Sequence, residues 1–238
     1  MNINFETPNI ILVMYPNFAG GKFLINCLGL SDDAVLQNQD FAKKQLIGKF
    51  SQQDKINYIF NELEKHKTNL VWNDLGLGCH QLFNYNYLNY TSIDSIDVNN
   101  FNEVVTPLSQ GNKKFFHVGH TFDNLVNFRN IWKNSKIILF KNTPTFRNLR
   151  LGGSKRPNLN STWDDKADSF SVDEDFKKNM LCTFDNNVYL NEEKTLNEVK
   201  KIYDILNLSG FNEQAISEYY RKWIKICIQL DIITLNKY

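Results

Sequence analysis

Short, nearly continuous apolar runs alternate along this chain with longer stretches in which apolar residues recur every three to four positions. The first run, residues 9–15, is rich in β-branched side chains and closes at Pro16. A strand of that composition is buried on both faces, as in a parallel sheet. Residues 22–30 begin directly after Gly20-Gly21 and predict a helix. Helices are also expected at 40–46 and 52–65, the latter from Ile56, Ile59, Phe60 and Leu63 at helical spacing. A second strand is expected at 70–72. Residues 76–102, rich in Asn and Tyr, predict a surface loop or short elements.

A third strand is expected at 114–120, a helix at 122–132, and a fourth strand at 136–141 with the apolar character of the first. Pro144 suits the first turn of another helix. Gly152-Gly153 and Pro157 break that helix and open a loop to about Asp168. A last strand is expected at 188–190. Two helices close the pattern: 192–206, with Leu196, Val199, Ile202, Tyr203 and Leu206 on one face, and 212–230. Short apolar strands separated by helices predict an α/β fold, a parallel sheet with helices on both faces. No repeat, low-complexity tract or linker divides residues 1–238, so one domain is expected, and 238 residues are ample for one large core.

The junction after the first strand carries the chemistry. Tyr15-Pro16-Asn17-Phe18-Ala19-Gly20-Gly21-Lys22 runs from a buried strand into a helix. The first N–H groups of a helix lack intrahelical partners, and its dipole places positive charge there. Glycines allow an anion to approach the backbone, and Lys22 adds a point charge, so phosphate is the natural occupant. The alternative is a turn that needs glycine for tight packing. Against the GxxxxGK[ST] loop of nucleoside triphosphatases, Pro16 replaces the first glycine and Phe23 replaces the hydroxyl that holds Mg²⁺. That disfavours a metal-dependent phosphoryl transferase.

Charge narrows the partners. Lys+Arg 27 against Asp+Glu 26 leaves +1, so no global field draws the chain to nucleic acid or membrane. The densest basic stretch is Lys141, Arg147, Arg150, Ser154, Lys155 and Arg156, just past the fourth strand, where α/β sheets place their ligands. A solvated helix face is the competing reading of each of these residues. Cys27, Cys79, Cys182 and Cys227 form no CxxC and read as reduced thiols. Cys79-His80 with His117 and His120 match no zinc spacing, so no metal is expected. With no signal-peptide pattern and no run of about 20 apolar residues, a cytoplasmic protein of a cell or infected host is expected.

Tyr15-Pro16 and the Gly20-Gly21 frame resemble the Tyr-Pro-Lys-Ser-Gly-Thr-Thr-Trp loop of the sulfotransferase superfamily, above all divergent sulfotransferase-like proteins of marine bacteria and phages, with their Tyr-Pro-x-Phe-Ala-Gly-Gly-x-Phe-Leu loop. Asn17 stands at that family's catalytic lysine, Phe18 at its serine and Ala19 at its glycine. Phe116-His117-Val118-Gly119-His120 resembles the family strand ending in Lys-Thr-His-Leu-Pro, with His120 at the general base and Val118 at the lysine. Residues 136–149 resemble the strand and helix that bind the donor's 3′-phosphate: Asn142 matches, Lys141 replaces an arginine, and Leu149 replaces a serine. Tyr219-Tyr220-x-x-Trp223 resembles the family's closing pattern.

The resemblance implies a three-layer, P-loop-like sulfotransferase architecture and sulfuryl transfer from PAPS, without a metal, to a hydroxyl of a glycan or small molecule. His120 would be the base, since imidazole titrates near neutral pH, with Lys22 standing in for the lost lysine. Donor contacts would come from Asn17, Phe18, Ala19, Gly20, Gly21, Lys22, Phe23, Lys141, Arg147, Arg150, Lys155 and Arg156. Trp163, beside Asp164 and Asp165, is a core residue or part of an acceptor pocket; Tyr85, Tyr87 and Tyr90 are further acceptor candidates. The departures at Asn17, Phe18, Val118 and Leu149 also admit a catalytically inert module of the same fold, for example in a virus, and a small-molecule kinase is a third reading.

Overall fold

The structure, a computed structural model, describes residues 9–15, 20–36, 50–69, 113–119, 135–141 and 161–229. The elements there are β1 (Ile10–Met14), α1 (Gly21–Gly29), β2 (Ala34–Val35), α2 (Gln52–Asn69), β3 (Lys114–Gly119), β4 (Lys136–Lys141), α3 (Ser161–Val172), α4 (Glu174–Lys177), β5 (Met180–Asp185), a 3₁₀ turn (Asn186–Leu190), α5 (Glu192–Ile205) and α6 (Glu213–Gln229). The strands form one five-stranded sheet in the order β2-β3-β1-β4-β5, and every pairing is parallel. The fold is therefore α/β, with helices flanking a parallel sheet.

The apolar run that predicts β1 is explained by its place at the centre of the sheet. All five of its residues are buried. Ile11 and Val13 join a core with Phe116, Ile138 and Phe140 from the sheet and Phe23, Ile59, Val199, Ile216 and Trp223 from the helices. Ile10, Leu12 and Met14 are equally buried on the other side, so β1 is covered on both faces. Register aligns the carboxyl ends: Met14 lies opposite Gly119 of β3 and Leu139 of β4.

Three expectations are corrected. Residues from 161 to 168 are not loop but part of α3; Trp163 and Ala167, four positions apart, are both buried, and the Trp163 indole donates to the Phe140 carbonyl at 3.1 Å. Upstream glycines and Pro157 masked that short periodicity. Residues 188–190 are a 3₁₀ turn, and the last strand is β5. The Asp185 carboxylate accepts from the Asn187 amide at 2.9 Å, which turns the chain out of the strand. β2, two residues long, was not anticipated because no periodicity fits in two positions. The elements expected at 40–46, 70–72, 76–102 and 122–132, and after Pro144, lie outside the described residues.

Helix ends follow local chemistry. Asn191 caps α5 by accepting from Lys194 N at 2.9 Å, Asn212 caps α6 through Ala215 N at 2.9 Å, and Asp173 caps α4. Ser51 and Asp54 reciprocate at the start of α2. The α5–α6 pair is clasped by Glu192, whose carboxylate takes Ser217 and both Arg221 donors, at 3.0 Å for Nε and 2.9 Å for Nη2.

The turn from α1 to β2 is held by an unusual group. Lys55 of α2 is 1% exposed, and its ammonium donates to the Ser31 carbonyl and, at 2.8 Å, to the Ala34 carbonyl. Burial lowers its pKa to about 8, with Lys113 adding to the shift and Asp32 and Asp33 opposing it. Between pH 8 and the unfolded value of 10.5, the unfolded chain binds the extra proton. Stability from this group is therefore at its lowest below pH 8 and rises as pH increases through that window. Urea denaturation at pH 7.5 and 10.5 should show the wild type gaining about 3 kcal/mol relative to Lys55→Met. An unchanged difference would mean that Lys55 is not buried as a charge.

Candidate functional site

The chain between Tyr15 and Gly20 links the carboxyl end of the central strand to α1. Gly20 adopts φ 79°, ψ 13°, a left-handed conformation that suits glycine. A Cβ there would lie 2.7 Å from the Tyr189 ring and 3.4 Å from Trp223. A Cβ on Gly21 would overlap the Tyr15 ring. Aromatic packing thus requires both glycines, in agreement with the tight-turn reading of the sequence.

Three donors converge on the Gly20 carbonyl: the amides of Phe23 at 3.1 Å and Leu24 at 3.4 Å, and the Tyr189 hydroxyl at 2.9 Å. Burial pushes the Tyr189 phenol well above its ordinary pKa, with Cys27 and Tyr15 adding to the rise, so it remains a donor. No side chain caps α1, and its first turn carries no acidic residue. The positive end of its dipole is thus not offset by a carboxylate of that turn. Gly20 and Lys22 are half-buried and Gly21 is buried.

Phe23 points away from any ligand at that end. It is 1% exposed, stacks on Tyr219 with centroids 5.2 Å apart and planes 3° apart, and meets Trp223 at 4.6 Å and Tyr189 at 5.3 Å. The residue in place of the metal-holding hydroxyl is a core anchor. Other hydroxyls from the second half of the chain also grip this region: Tyr219 accepts from Asn26 at 2.8 Å, Tyr203 donates to the Cys27 carbonyl at 2.8 Å, and Tyr220 donates to the Tyr189 carbonyl at 2.8 Å.

Of the sequence candidates, Gly20, Gly21, Lys22 and Phe23 cluster at the start of α1, and Lys141 ends β4, exposed and paired in register with Asp185. Asn17, Phe18, Ala19, His120, Arg147, Arg150, Lys155 and Arg156 lie outside the described residues, as do Tyr85, Tyr87, Tyr90, Cys79 and His80. His120 follows Gly119 in sequence, and Gly119 ends β3 opposite Met14. Trp163 is a core residue of α3, with its indole nitrogen bonded to Phe140. Cys27, Cys182 and Cys227 are free thiols whose pKa values burial raises, that of Cys182 to about 11, so none is an activated nucleophile. Among the described residues no cluster of His, Cys, Asp and Glu could hold a metal ion. No described helix is long and apolar enough to cross a membrane. Tyr189, which shapes the turn from 169 residues away, carries no sequence signal of that role.

A cleft of about 620 Å³ opens at the opposite, amino-terminal edge of the sheet, lined by Asn9, Asp33, Lys114, Asn207, Leu208 and Ser209. Its polar groups serve the fold: the Asp33 carboxylate accepts from Ser209 N at 2.6 Å, and its carbonyl accepts from Lys114 N at 2.6 Å. Hydrogen bonds from Ser209 hold the Asp33 carboxyl below its usual range, with Lys114 and Lys113 adding to the effect. This cleft is remote from the β1–α1 junction. No family model, curated protein or solved structure matches the chain.

The packing separates three glycines. Gly20→Ala places a side chain at positive φ against Tyr189, and Gly21→Ala drives one into Tyr15; each should cost about 2–4 kcal/mol in urea denaturation. Gly29→Ala meets the flexible end of Leu36 and regains helix propensity, so its change should stay within about 1 kcal/mol. Equal losses at all three positions would contradict the geometry.

Proposed function

We propose that the start of α1 binds the phosphate groups of a nucleotide donor without a metal, and that the protein transfers a sulfuryl group from PAPS to a hydroxyl. The observation that carries this reading is the uncapped amino end of α1, with Gly21 and Lys22, at the carboxyl end of the central strand. Open α/β sheets bind ligands beyond the carboxyl ends of their strands. Helix amino ends favour anions. The burial of Phe23 in the core argues against Mg²⁺-dependent phosphoryl transfer, because no hydroxyl stands at that position. The choice of PAPS rests on the sulfotransferase resemblance of the loop, of residues 116–120 and of residues 136–149.

In this reading the acceptor hydroxyl oxygen attacks sulfur while His120 takes its proton. The sulfur–oxygen bond to the 5′-phosphate breaks, and adenosine 3′,5′-bisphosphate leaves. Lys22 and Lys141 would offset charge on the leaving phosphate, and Arg147, Arg150, Lys155 and Arg156 are the candidates for the 3′-phosphate. A second reading, an inert module that keeps the fold, is favoured by the packing that by itself requires Gly20 and Gly21.

Calorimetry with adenosine 3′,5′-bisphosphate in EDTA should show binding, weakened about tenfold by Lys22→Ala. No binding at millimolar concentration would remove the donor site. Binding without sulfuryl transfer to any hydroxyl acceptor would favour the inert module.

A further inference from the structure

We draw no further inference here: the strongest candidate, the cleft at the amino-terminal edge of the sheet between Lys114 and the Asn207–Ser209 turn, has its Asp33 carboxylate engaged by Ser209 in holding that turn to the sheet, and nothing in the structure shows what would occupy it.

Discussion

The left-handed turn at Gly20 is the constraint on which the rest of the junction depends. It starts α1 with the Gly20 carbonyl bonded by Tyr189 and its Cα against two aromatic rings. An L side chain at that point would lose the conformation and the contact together. Because the turn is closed by aromatic rings from the second half of the chain, the local geometry at residue 20 is a tertiary property.

The same packing settles what the glycines can be made to say. In a phosphate-binding loop, glycine allows close approach of a ligand; here it allows close approach of tyrosine and tryptophan. The two uses are compatible, since the rings stand where a Cβ would be and the amino end of α1 carries no side-chain cap. The case for an anion therefore rests on the uncapped helix end and its place at the carboxyl edge of the sheet, and the case for PAPS rests on resemblance.

Much of the fold was legible in the sequence, for identifiable reasons. β1 and the middle of β4 are buried, as are Phe115 and Phe116 of β3, so their apolar runs stand out, and α2, α5 and α6 each present one apolar stripe. β5 was missed because it is an edge strand whose side chains are mostly half-buried, while Val188, Tyr189 and Leu190 imitate a strand by composition. α3 was hidden behind glycines and a proline that belong to the segment before it. The glycine pair and the start of α1 could be found from the motif. Tyr189 could not, because its partner is 169 residues away and a tyrosine near a helix start is ordinary.

The bonds that finish α1 span most of the chain. Asn26 waits for Tyr219, 193 residues later, Cys27 for Tyr203, 176 later, and Gly20 for Tyr189. A growing polypeptide must carry its first helix, with Phe23 and its neighbours bare, until nearly all of these partners have left the ribosome. Such a chain exposes apolar surface while it is being made, the condition under which growing polypeptides self-associate.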